Sequence, residues 1–285
     1  MSTNGSGRVL GAARGLRDRI HNIRSAKREV ITVRLTILGS GTGVPSAYRN
    51  SAGYFVEMPD ARLMMDCGAG TVHALARYGL PWEEITHLFI SHFHVDHVGE
   101  LASLFFAFRY GMKTERSEPL TVIGPNGLDR VIDGLKLAFG AKIFEPKFPV
   151  EVRMVAPGER VQLGCDSTLS VAKTIHTPES LALRIESEGR SLCYTGDTGY
   201  DEELARFFSG ADLLISECSF RQPHKSARHL SISEAARLAD LAEVARLIVT
   251  HFYFDVNEAE LKAKLESDYA GEVIIGRDGL SLEVA

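Results

Sequence analysis

The sequence has no apolar run near the roughly 20 residues that a membrane-spanning helix requires, which excludes a helical membrane protein. Its four cysteines, Cys67, Cys165, Cys193 and Cys218, include no CxxC pair, so neither a zinc ribbon nor a dithiol redox motif is present. Reduced thiols in a cytoplasmic protein are the expectation. The opening stretch MSTNGSGRVLGAARGLRDR lacks the apolar core and cleavage pattern of a secretory leader. No low-complexity tract, linker or internal repeat interrupts residues 32–285. With 285 residues, 45% of them hydrophobic and 24% charged, the chain has the composition of a globular protein. It is long enough for one large domain, and the unbroken patterning from residue 32 onward indicates one.

Charge is scarce in one sense and concentrated in another. Residues 1–31 hold seven basic side chains against Asp18 and Glu29, a local +5, so the rest of the chain carries −10 of a net −5. An acidic body argues against a general nucleic-acid binder. In the basic segment Val9, Ala13, Leu16, Ile20 and Ile23 are spaced 4, 3, 4 and 3. That is the apolar stripe of an amphipathic helix, suited to docking on the body or on a second subunit. A homodimer is therefore expected. An organelle leader is the alternative for such an Arg-rich segment.

From Val30 the pattern becomes strands broken by glycine turns. ITVRLTILG, AGYFVEM and ARLMMDCG read as three strands, TVHALARYGL as a helix, ITHLFIS as a buried strand and ELASLFFAFRYG as a helix. LTVIGP, GLDRVIDGLKLAFG and FPVEVRMVAP continue as strand, helix, strand. ERVQLG, STLSVAKTIHT, SLALRIESEG and RSLCYTGDT are successive strands. DEELARFFSG, ADLLISECS, SISEAARLADLA, ARLIVTHF and EAELKAKLESDY then alternate helix and strand before a closing strand or pair in EVIIGRDGLSLEVA. Early antiparallel runs with helices interspersed fit two sheets packed together, helices outside.

One segment stands apart. FISHFHVDHVGE crowds His92, His94, Asp96 and His97 into six positions directly after an apolar run. In extended backbone His92 and His94 point to the same side, and Asp96 and His97 follow at a turn that aims them elsewhere. Imidazole nitrogens and carboxylate oxygens are the usual zinc ligands, so one segment can supply two metals. Two close metals need a bridging anion and more histidines. His176, Asp197 and His251 each follow a predicted strand, where a scaffold presents functional side chains. Singly, each would be a surface or capping residue, Asp197 an ordinary helix N-cap. Beside the HxHxDH segment a metal-free explanation of all of them is poor. His73, His87 and His224 are left as surface or packing residues.

These motifs resemble the metallo-β-lactamase-fold superfamily, and within it the ribonuclease Z branch with its small phosphodiesterase relatives. LGSGTGVPSAYRNSAGY, DCGAGT, HFHVDH, HTPESLALRIE, the GDT aspartate, SECSF before HLSISEAARLA, and VTHF fall in that branch's order over about residues 33–257. The resemblance implies an α+β fold, a four-layer αβ/βα sandwich of two mixed β-sheets with helices outside, over residues 32–285. It implies a first metal on His92, His94 and His176, a second on Asp96, His97 and His251, and Asp197 bridging them. The two divalent ions would be zinc, or alternatively manganese or iron. Asp66 would orient a ligand histidine, His229 would assist the leaving group, and Glu217 would hold His229, with Ser231 capping the next helix. One departure matters. Ribonuclease Z carries a long tRNA-gripping arm between the third motif and the GDT aspartate, and only 20 residues separate His176 from Asp197 here.

Two close divalent ions bring a shared water towards ionisation at neutral pH and neutralise charge on a phosphate. Asp96 would position that nucleophile as acid/base, and His229 would donate to the departing alkoxide. The expectation is a metal-dependent phosphodiesterase acting on a small phosphodiester, a cyclic nucleotide or an RNA 3′ end, with no membrane partner. A thioester hydrolase of the glyoxalase II type shares the bridging aspartate without the SECSF and HLSIS elements and is the alternative. A non-catalytic metal-binding module ranks behind it, because all seven ligand positions are filled.

Overall fold

The computed structural model describes residues 32–285; the amphipathic extension expected over 1–31 lies outside the described residues. The first half of the chain runs β1 (Arg34–Gly39), β2 (Gly53–Glu57), β3 (Arg62–Met65), α1 (Thr71–Arg77), β4 (His87–Phe89), α2 (Val95–Val98), α3 (Leu101–Tyr110), β5 (Leu120–Gly124), α4 (Leu128–Phe139) and β6 (Val150–Met154). The second runs β7 (Arg160–Gln162), β8 (Ser167–Lys173), β9 (Leu181–Ser187), β10 (Arg190–Tyr194), α5 (Glu202–Phe208), β11 (Leu213–Glu217), α6 (Ile232–Leu241), β12 (Arg246–Thr250), α7 (Glu258–Asp268) and β13 (Glu272–Ile275). Last, β14 (Ser281–Glu283) returns to the first sheet.

The two sheets have seven strands each, ordered β14-β1-β2-β3-β4-β5-β6 and β13-β12-β11-β10-β9-β8-β7. Both change character part-way. In the first, β1 to β3 pair antiparallel and β3 to β6 parallel. In the second, β7 to β10 pair antiparallel and β10 to β13 parallel. The mixed α+β, four-layer architecture expected from the sequence is the one observed.

Side-chain alternation builds the layers, because successive strand residues face opposite sides of a sheet. In β3, Leu63 and Met65 enter the core between the sheets, while Met64 faces the helices with Leu101, Leu104, Phe105 and Phe108 of α3. In β10, Leu192 and Tyr194 face the inter-sheet core and Cys193 packs under α5 and α6 with Leu204, Phe208 and Leu238. Truncating one such fully buried leucine to alanine costs about 2–5 kcal/mol. Helix α6 starts where the sequence predicts: Ser231 and Glu234 form a reciprocal capping box, and Ala235, Leu238 and Ala239 are buried beneath it. Among the described residues no helix is long and apolar enough to cross a membrane.

The pairing directions set the site. Strands β3, β4 and β5 are mutually parallel, as are β10, β11 and β12, so each trio delivers its carboxyl ends to one edge. Where parallel strands end at a change of strand order, chain segments diverge and leave room for ligands.

Candidate metal centre

Strand β4 stops at Phe89, earlier than the expected strand ITHLFIS, although Ile90 N–H still donates to Ile123 O of β5 at 2.8 Å. His94 is extended (φ −64°, ψ 148°) and caps the one-turn helix α2, which carries Asp96 and His97. The turn expected after His94 is thus a helical one, closed by His97 N–H and Val98 N–H donating to His94 O at 2.9 and 3.2 Å. The other contributors leave strand ends: Asp66 after β3, His176 beyond β8, Asp197 beyond β10, and His251 immediately after β12. Three of these corners have left-handed backbone, at Asp66 (φ +57°), Gly196 (φ +57°) and His251 (φ +61°). Non-glycine residues persist there only where the surroundings over-determine them, commonly at functional sites. Asp197 is not a helix cap; Asp201 caps α5 instead.

The structure brings the seven sequence-predicted ligands together in two groups that share a wall. His92, His94, His176 and Asp197 form one set, and Asp96, His97 and His251 the other. In the first, His176 Nε2 lies 3.0 Å from His94 Nδ1, and Asp197 Oδ2 is 3.8 Å from His92 Nε2 and 3.7 Å from His176 Nε2. In the second, Asp96 Oδ2 is 3.3 Å from His251 Nε2 and 3.8 Å from His97 Nε2. Asp197 Oδ1 stands 3.4 Å from His97 Nε2 and 3.5 Å from His251 Nε2. Asp197 therefore turns one oxygen to each set.

These separations fit a cation in each set. Bonds of 2.0–2.2 Å in tetrahedral array put neighbouring ligand atoms about 3.4 Å apart. His92 Nε2, His97 Nε2 and Asp197 Oδ1 are buried and have no hydrogen-bond partner among the described residues. Leaving such atoms unpaired costs about 1–3 kcal/mol each, a cost that a bound ion removes.

The opposite edges of the rings are tied down, which fixes tautomer and aim. His97 Nδ1 meets Asp66 Oδ2 at 2.7 Å, His176 Nδ1 donates to Arg228 O at 3.0 Å, and His251 Nδ1 meets Ser219 Oγ at 3.0 Å. His229 Nδ1 is 3.1 Å from both oxygens of Glu217. Its Nε2 has no hydrogen-bond partner among the described residues, and its side chain keeps 16% of its surface open at the rim of the centre.

Burial and charge act against each other here. Burial opposes the charge of Asp197, yet His251, His97 and His92 hold its carboxyl well below the usual carboxylate range. Asp96 behaves likewise: burial is outweighed by the hydrogen bond from His251 and the positive field of His97 and His251. Burial pushes His176 down to about 4, partly countered by Asp197, so it is a neutral imidazole with a free lone pair at neutral pH. Burial raises Glu217. His229 moves up despite its own burial, because Glu217 accepts its proton's hydrogen bond and supplies the opposing charge.

Sequence reasoning missed the residues that brace these groups. Tyr194 donates its phenol proton to Asp66 Oδ2 at 2.8 Å from the second sheet, and Ser91 donates both its amide and its hydroxyl to the same carboxylate at 2.8 Å. Ser219 donates to Glu217 Oε2 at 2.5 Å while facing His251. The SECSF string contains Ser219, but nothing in a single sequence marks which serine there is turned inward. The histidines set aside behave as expected: His73 and His224 are exposed, and His87 is buried, pushed to about 4 by burial, with Thr86 Oγ1 2.8 Å from its Nδ1.

Two seven-stranded mixed sheets with a histidine–aspartate cluster at the carboxyl ends of their strands define a metallo-hydrolase of the metallo-β-lactamase fold. More narrowly, residues 33–267 match the family described as the anti-Pycsar protein Apyc1, and the chain belongs to that family. It is 30% identical over 254 residues to the probable metallo-hydrolase YhfI of Bacillus subtilis, an alignment spanning 88% of this chain and 100% of that one. The crystal structure of YhfI superposes with a TM-score of 0.76 at 29% identity, covering 88% of this chain and 98% of the other. A ribonuclease Z of Mycobacterium bovis is 27% identical over 277 residues, covering 88% of this chain and 98% of the enzyme. Human tRNase Z, short form, shares the fold with a TM-score of 0.70 at 21% identity, covering 88% and 99%.

Proposed function

We propose that the protein is a dinuclear-metal phosphodiesterase acting on a small phosphodiester, such as a cyclic nucleotide or a short RNA 3′ end. The observation that carries this reading is the pairing of two ligand sets across Asp197 with His229, held by Glu217 at 3.1 Å, beside them. Two divalent ions held there would supply a water activated at neutral pH and a positive field for a phosphate's non-bridging oxygens. His92, His94 and His176 would hold one, Asp96, His97 and His251 the other, and Asp197 both. The nitrogen-rich ligand set suits zinc, with manganese or iron as alternatives.

The chain's own groups divide the remaining work. Asp96, ionised and anchored by His251 at 3.3 Å, can accept a proton from the attacking water and fix its direction. His229, its Nδ1 held by Glu217 and its Nε2 without a hydrogen-bond partner among the described residues, can donate to the departing alkoxide. Such a donor matters for a poor leaving group and is superfluous for a thiolate, which favours phosphodiester over thioester hydrolysis. Between His176 and Asp197 the chain has only strand β9, a turn and strand β10. No tRNA-gripping arm is built there, which supports a small substrate.

The test is a hydrolysis panel with metal-reconstituted protein: cyclic nucleotides, bis(4-nitrophenyl) phosphate, precursor tRNA and S-lactoylglutathione. Metal-dependent turnover of the diesters is expected. Turnover of the thioester alone would overturn the reading.

A further inference from the structure

We infer that Asp278, in the crossover that carries the chain from the second sheet back to the first, is a positioning residue for the metal centre. Through Ser40 it fixes the backbone of His251, and with it the ligand set of Asp96, His97 and His251. This role presupposes the dinuclear reading of the centre and names what aims one of its two sets.

Of the seven ligands, His251 alone has left-handed backbone (φ +61°). A histidine keeps that conformation only where neighbouring groups hold it. Ser219 Oγ lies 3.0 Å from its Nδ1 and 3.1 Å from its carbonyl oxygen. A hydroxyl has one proton to give, however, and Glu217 Oε2 accepts it at 2.5 Å. The undivided bond is the one from His251 N–H to Ser40 O at 2.8 Å. It crosses the sandwich, since Ser40 follows β1 of the first sheet and His251 follows β12 of the second.

Ser40 is itself fully buried, and Asp278 Oδ1 accepts both its N–H at 2.9 Å and its hydroxyl at 2.7 Å. The other carboxylate oxygen accepts Asn50 N–H at 2.6 Å. One carboxylate thus ties together both ends of the segment 40–50, with charge-assisted bonds roughly twice as strong as neutral ones. The crossover over residues 276–280 joins β13 to β14 and is anchored to both sheets. Gly279 N–H donates to Ile37 O at 2.8 Å, and Gly276 N–H donates to Val249 O, two residues before His251, at 2.9 Å. Removing the Asp278 carboxylate frees Ser40, and with Ser40 the one bond that holds the His251 amide. The set of His92, His94 and His176 makes no hydrogen bond to Ser40 or Asp278, so the loss should fall on one cation.

Asp212 supplies a control. It accepts Ser191 N–H at 2.7 Å and the Ser191 hydroxyl at 2.9 Å, the same clamp built at the amino end of β10, away from the centre. A merely structural carboxylate would behave alike at both places.

Zinc retention by the reconstituted full chain, titrated against a chromophoric chelator, separates the two sets. Asp278→Ala is expected to release one of two equivalents about tenfold more readily and to leave the other unchanged, circular dichroism reporting an intact fold. Asp212→Ala should keep both. Ser40→Ala, which loses the hydroxyl bond and keeps the backbone ones, should show a smaller loss of the same equivalent. Hydrogen exchange at the His251 amide reads the same bonds without metal: Asp278→Ala should speed it several-fold, Asp212→Ala should not. Wild-type retention of both equivalents in Asp278→Ala and Ser40→Ala, an equal loss from Asp212→Ala, or an unchanged exchange rate at His251 overturns the inference. A wild-type chain that holds fewer than two zinc ions sinks the dinuclear reading instead, and exchange at His251 then still decides whether Asp278 fixes its backbone.

Discussion

The two sheets change from antiparallel to parallel pairing at equivalent places, after β3 and after β10, and an aspartate follows each change: Asp66 in one half, Asp197 in the other. Their surroundings could hardly differ more. Asp66 is fully buried and saturated, receiving Ser91 N–H and O–H, the Tyr194 phenol and His97 Nδ1–H at 2.7–2.8 Å. Asp197 is equally buried, but its Oδ1 has no hydrogen-bond partner among the described residues and faces His97 and His251. One position in the topology thus serves two ends. Donors converge on Asp66 and make it a brace; bare acceptors and lone pairs converge on Asp197, the proposed seat for cations. The brace crosses between halves, since Tyr194 of β10 supports the carboxylate that follows β3.

The comparison can be broken by substitution. Asp197→Ala should remove metal and cut hydrolysis by roughly a thousandfold or more, read by elemental analysis and turnover together. Asp66→Asn should be milder, weakening metal affinity or activity about 10–100-fold, because it misaims His97 without removing a ligand. Equal effects from the two would contradict the division between brace and seat. His229→Ala should leave metal bound and slow an alkyl diester about a hundredfold, with far less effect on a nitrophenyl ester; parity on the alkyl ester rejects the acid role. Ser219→Ala should cost several-fold in metal affinity by freeing His251, roughly the low end for an outer contact, with Ser219→Thr restoring it. Smallest is Tyr194→Phe, which leaves Asp66 three of its donors and should cost about 1 kcal/mol in denaturant unfolding.

What the sequence made legible follows from the same physics. Strand ends after apolar runs are readable, so His92, His94, His176, Asp197 and His251 could be placed from pattern, and the alternation of ITVRLTILG marked a strand. Contacts that depend on distant pairing were not readable. Tyr194 sits in an apolar strand and resembles a core aromatic, yet its phenol finds Asp66 128 positions away. The left-handed turns at Asp66 and His251 carry no residue-type signal, since glycine would be the ordinary choice. The helical turn under Asp96 and His97 is too short for periodicity to announce.

Anomalous diffraction from crystals grown with zinc tests the central claim most directly. Two peaks are expected, one beside each carboxylate oxygen of Asp197, the first bounded by His92, His94 and His176 and the second by Asp96, His97 and His251. A single peak elsewhere, or two peaks neither of which touches Asp197, would contradict it.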